Sequence, residues 1–90
     1  MANETAVARL KRMRMRSWRR GTKEMDLLLG PYADAMLAGM GQAGLDLFDR
    51  LLAEDDPDLI SWFLGHAAPK PEFGALVDDI GRFAGQRHQA

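Results

Sequence analysis

Arg19-Arg20-Gly21-Thr22-Lys23-Glu24-Met25-Asp26 separates two long helical runs, and reading it as a helix junction decides the fold. Before it lies an arginine-rich run over about residues 5–19, with Leu10, Met13 and Ser17 or Trp18 along one side. After it, over about residues 23–37, Met25, Leu28, Leu29, Tyr32, Met36 and Met40 recur at spacings of three and four, which marks a core-facing stripe. Gly21 is the expected stop between them, because glycine takes the left-handed conformation at low cost. Glu24 and Asp26 fall in the first turn of the second run, where acids favour the helix dipole. The same spacing offers Arg20 an ion pair with Glu24 and puts opposite charges at one corner of the molecule.

Three further helices follow from the same periodicity. Leu45, Phe48, Leu51 and Leu52 share a face over about residues 43–53, after a Gly39-Met40-Gly41 linker. Asp56 reads as an N-cap and Pro57 as a first helical residue for a short apolar helix over residues 57–64, ended by Gly65. A turn with two prolines leads to residues 71–86, where Phe73, Leu76, Val77, Ile80, Phe83 and Ala84 keep helical spacing. Gly30-Pro31 is expected to kink or break the second helix, because proline removes a backbone donor. The fold class is therefore all-α: a compact five-helix bundle in a single domain spanning residues 1–90, with about residues 5–86 ordered.

Bulk properties narrow the function. Ninety residues at 47% hydrophobic content support one core. The absence of cysteine excludes disulfides, thiolate metal sites and a cysteine nucleophile. No apolar run exceeds four residues, far short of the about 18 needed to span a bilayer. Net charge is only −1, yet residues 1–23 carry eight basic side chains and one acid, while residues 24–90 carry four basic and twelve acidic ones. A basic helix on an acidic body points to an anionic partner or to internal charge complementarity. The first twenty residues share the arginine content of a transit peptide, but Glu4, the scarcity of serine and the direct run into the junction favour a helix of the domain. A cytoplasmic bacterial protein is the simplest expectation.

Other candidate sites reduce to structural roles. Asp55-Asp56-Pro57-Asp58 lacks the glycine and distal glutamate of a calcium loop, so helix capping accounts for it. His66 and His88 have no second ligand at metal spacing. Gly39, Gly41 and Gly44 match a dinucleotide fingerprint literally, but no strand precedes them. No catalytic or metal-ligating constellation is found. The run from Arg9 to Arg20 supports an alternative, a small nucleic-acid-binding protein using the basic helix, although no recognised module accompanies it. Trp18, between Ser17 and Arg19, fits either the core beneath the corner or a partner surface.

Arg19-Arg20-Gly21-x-x-Glu24-x-Asp26, followed by a leucine-rich helix, resembles the RGxxE signature of the SdhE family. Leu51-Leu52-Ala53-Glu54-Asp55-Asp56-Pro57-Asp58-Leu59-Ile60-Ser61-Trp62-Phe63 is similar to that family's LLE-x-DDPDL-x-x-WL segment. Order and spacing agree over about residues 8–82. The resemblance implies a five-helix, non-catalytic assembly factor that binds the flavoprotein subunit of succinate dehydrogenase, and of fumarate reductase, as a monomer. It implies that the factor promotes covalent linkage of FAD to a histidine of that subunit and holds no cofactor stably itself. Neither nucleic acid nor membrane insertion belongs to that role. Carried onto this chain, it makes Arg20, Gly21 and Glu24 the core of a docking corner, with Asp26, Arg19 and Trp18 beside them, and gives Trp62 a supporting role in the fold. The chain departs from the family at Gly39, Gly41 and Gly44, where many relatives carry charged residues and a polar cap.

Overall fold

Two threonines start the first two helices in the same way. The Oγ1 atoms of Thr5 and Thr22 accept hydrogen bonds from the backbone N–H groups of Ala8 (3.0 Å) and Met25 (3.2 Å), satisfying a donor that a helix start leaves without a partner. In the computed structural model, which describes residues 4–87, the helices are α1 (Ala6–Trp18), α2 (Lys23–Met36), α3 (Gln42–Leu52), α4 (Asp56–Phe63) and α5 (Gly74–Arg87). Short 3-10 turns at Leu37–Gly39 and Pro71–Phe73 complete the order, and no strand occurs among the described residues. The five-helix, all-α expectation holds. His88 lies outside the described residues.

The core is built around α2. Met25, Leu29, Tyr32, Ala33 and Leu37 are buried against Met13 of α1, Phe48, Leu51 and Leu52 of α3, Leu59 of α4 and Leu76, Val77 and Ile80 of α5. Ser17 is buried too, and its hydroxyl donates to Met13 O at 2.7 Å, so no polar atom of that side chain is stranded. Met36, read as a core position, is 39% exposed, and Leu37 takes its place. The helix ends at Met36 and tightens into a 3-10 turn, which advances the next side chain by a larger angle than an α-helix would.

Pro31 does not break α2, which runs unbroken through it. The carbonyl that loses its partner is that of Leu27, a residue 45% exposed, where water can satisfy it. Gly30 has a reason of its own. It is buried under the ring of Trp18, and an added Cβ would lie 2.3 Å from that ring. The contact lets α1 approach α2 closely, while Trp18 Nε1 donates to Asp34 Oδ2 at 3.1 Å.

Tyr32 ties α2 to α5. Its hydroxyl donates to Asp79 Oδ2 at 2.6 Å, and its ring meets Phe83 edge-on and Phe48 face-on at centroid distances of 5.5 and 5.9 Å. Burial first, and then the Asp79 bond, push its pKa well above the ordinary tyrosine value. The raised value makes a contribution to stability that is whole below the unfolded pKa of about 10 and declines as pH rises beyond it. Tyr32 is the chain's single tyrosine, so tyrosinate absorbance reports it alone. The native protein is expected to show almost no tyrosinate at pH about 10.5, whereas the urea-unfolded chain is half-titrated near pH about 10. Coincident native and unfolded titrations would mean that the phenol is not held in this way.

Candidate functional site

The α1–α2 turn and the α3–α4 turn meet, and Arg20 joins them. Its guanidinium, with only 9% of the side chain exposed, donates from Nε to Asp56 Oδ1 (2.8 Å), from Nη1 to Leu52 O (2.7 Å) and from Nη2 to Glu54 O (2.8 Å). Leu52 ends α3, so Arg20 caps the C-terminus of α3 and not that of its own helix. Arg16 Nη2 reaches the same Leu52 carbonyl at 3.2 Å. The anticipated Arg20–Glu24 pair does not form. The arginine finds a carboxylate 36 residues away, and charge-assisted bonds in a largely buried site outweigh a solvated pair with a near neighbour in the chain.

Asp56 is the second half of this lock. Its Oδ2 accepts the backbone N–H of Gly21 at 2.6 Å while Oδ1 faces Arg20. Its carboxylate therefore does not cap α4: the N-cap position is Asp55, without a side-chain cap bond, and Asp56 is already helical. Gly21 is not left-handed either, since Gly65, with φ of 76°, is the single glycine of positive φ among the described residues. What the Gly21 position requires is space, because an added Cβ would stand 3.0 Å from Asp56 Oδ2. Asp26 secures the turn from the other side, with Oδ1 accepting Arg20 N at 2.6 Å.

Of the six residues singled out from sequence, Arg20, Gly21 and Asp26 thus form one hydrogen-bonded unit with Asp56. Glu24 and Arg19 are exposed and have no ion-pair partner among the described residues. Trp18 is 38% exposed, with one face on Gly30. The charges this corner offers to solvent belong to Arg19, Lys23 and Glu24 rather than to Arg20. A shallow depression of about 440 Å³ lies over the lock, between Arg16, Arg19 and the Ala53–Pro57 stretch.

Sequence reasoning missed the lock. Asp56 reads from sequence as an N-cap, and nothing in the run from Arg9 to Arg20 singles out Arg16. The available signal was that both distinctive stretches fall in interhelical turns, where side chains from distant segments can converge.

The arginines higher on α1 face acids of α3. Arg9 Nη2 lies 2.7 Å from Asp46 Oδ1, and Arg12 sits between Asp49 (2.7 Å) and Glu4 (2.8 Å). The hydrogen bond from Arg12, ahead of the charges of Arg12 and Arg9, holds the Asp49 carboxyl below the usual carboxylate range against its partial burial. This part of the basic helix is internal complementarity, which removes charge that a polyanion would need.

Residues 11–84 match the model of the Sdh5 family, described as "Flavinator of succinate dehydrogenase". The chain belongs to this family. Among Sdh5-family relatives, the FAD assembly factor SdhE of Shewanella oneidensis is 40% identical over 63 residues, covering 69% of this chain and 77% of that protein. The FAD assembly factor SdhE of Colwellia psychrerythraea is 34% identical over 80 residues, covering 87% and 88%. The mitochondrial succinate dehydrogenase assembly factor 2 of Mycosarcoma maydis is 46% identical over 61 residues, covering 68% of this chain and 24% of that longer protein. The matched Sdh5 region contains the whole Arg20–Asp56 lock and all five helix-forming runs in whole or in part.

Proposed function

We propose that this protein is an assembly factor that binds the flavoprotein subunit of succinate dehydrogenase and promotes covalent attachment of FAD to it. The observation that carries this reading is the Sdh5-family match over residues 11–84, which encloses the locked corner. Fumarate reductase, whose flavoprotein subunit poses the same chemical task, is a second client. The factor acts as a monomer in the bacterial cytoplasm, and none of its helices is long and apolar enough to cross a membrane among the described residues. It is not an enzyme. FAD and the histidine that bonds to it belong to the client, and the factor contributes binding energy alone.

Binding promotes the reaction if the factor prefers the client state in which histidine and flavin are aligned, because a ligand raises the population of the state it binds best. The locked corner suits this role. Arg20, Gly21, Asp26 and Asp56 fix the backbone from which Arg19, Glu24 and Trp18 project, so the groups that meet the client are held in place before it arrives.

The test is covalent flavin on the succinate dehydrogenase flavoprotein subunit, read by in-gel fluorescence in cells lacking this gene. Wild type is expected to restore the signal, and Glu24→Ala to reduce it at least about tenfold, the size of effect expected for a side chain among the few that dominate an interface. Glu24 is exposed and unpaired among the described residues, so its loss should leave thermal unfolding nearly unchanged. Full flavinylation in the deletion strain would overturn the assembly role.

A further inference from the structure

An apolar groove runs from the locked corner between α2 and α4. Leu28, Ile60, Phe63 and Leu64 line it over a floor of buried Met25, and Thr22 and Glu24 are its polar members. It is continuous with the corner: Thr22 follows Gly21 in the chain, and Ile60 lies one turn of α4 beyond Asp56. Leu64, which lines the same groove as Glu24, is 63% exposed. The cavity volume is near 200 Å³, below the about 300–1,000 Å³ of sites that take small molecules. A flavin does not fit such a space, whereas one large side chain does.

We infer that this groove is the anchoring half of the docking surface, and that it receives a large apolar side chain of the client flavoprotein with an arginine or lysine within one helical turn of it. The apolar side chain displaces water from Leu28, Ile60, Phe63 and Leu64, and the cation meets Glu24. Charge complementarity selects this occupant. Glu24 is the groove's one charged side chain and lacks an ion-pair partner among the described residues. An anchor side chain that fills a desolvated pocket is the usual source of binding energy, and a charge at the pocket's border adds selectivity for the partner. The inference rests on the assembly-factor reading and gives Glu24 a defined counterpart.

The experiment measures the affinity of the purified flavoprotein subunit of succinate dehydrogenase for wild type, Leu64→Asn and Val7→Asn. Both positions are exposed, Val7 at 79% on α1, so both variants are expected to fold, which their melting curves verify. Leu64→Asn should bind at least about tenfold more weakly and Val7→Asn within about twofold of wild type. In parallel, a photo-crosslinking phenylalanine at position 64 should link to a client segment that contains a basic residue within one turn. If wild type binds but Leu64→Asn binds equally well, the groove is not an anchor and the assembly reading stands. Equal losses in Leu64→Asn and Val7→Asn, or a crosslink to a segment without a basic residue, also overturn the inference. No binding by wild type overturns the assembly reading and the groove with it.

Discussion

Asp56→Ala lowers the unfolding free energy by about 3 kcal/mol, the lower end of the cost of breaking a buried ion pair from one side. The lower end applies because 9% of the Arg20 side chain and 16% of the Asp56 side chain remain exposed. The substitution leaves the largely buried Arg20 Nε without its acceptor, which costs more than the bond contributed net, whereas the exposed Gly21 N–H can turn to water. For a domain of this size the melting temperature should fall by about 12–20 °C. Urea midpoints with unchanged slope would attribute the change to stability alone. Asp56→Asn keeps one acceptor oxygen and should recover part of the loss. A cost below about 1 kcal/mol would mean that the pair behaves like an exposed one.

Gly30→Ala has the second largest expected effect, a loss of about 1–3 kcal/mol from overpacking. The new methyl carbon would sit 2.3, 2.4 and 2.7 Å from three atoms of the Trp18 ring, so the ring must move. Trp18 is 38% exposed and can swing toward solvent, but doing so breaks the bond from Nε1 to Asp34. In a Trp62→Phe background, Trp18 emission should shift to the red. An unshifted spectrum would place the indole elsewhere than on Gly30. Because Trp18 stands beside the locked corner, the same variant tests whether its position matters to the proposed client contact.

Helix positions were legible because they depend on local chemistry. The 3.6 period placed Met13, Met25, Leu29, Tyr32, Phe48 and Ile80 in the core, and the structure adds the Thr5 and Thr22 caps that start the first two helices. What the sequence hid depends on distance in the chain. Arg20 has Glu24 four residues away and Asp56 thirty-six away, and no local rule selects the latter. Gly21 looked like a helix stop because glycine usually marks one, yet here it makes room for a carboxylate. Pro31 looked like a breaker, and burial of both neighbours, Gly30 and Tyr32, keeps the helix whole. The corner itself was found through its motif, but the division of labour within it was not: Arg20, Gly21 and Asp26 build the platform, while Glu24 and Arg19 stand exposed on it.

The bond from Gly21 N to Asp56 closes a loop of 35 residues, and the Arg20 bonds close loops of similar length. Interhelical turns ordinarily fray by themselves, opening many times for each global unfolding event. This turn cannot open without releasing the end of α3 and the start of α4, so it shares the cooperative unit of the core. The two turn amides bonded to carboxylates, those of Arg20 and Gly21, should exchange with solvent as slowly as those of buried helices. The entropy of ordering the corner is lost once, during folding, and none of it is left to oppose each encounter with a client.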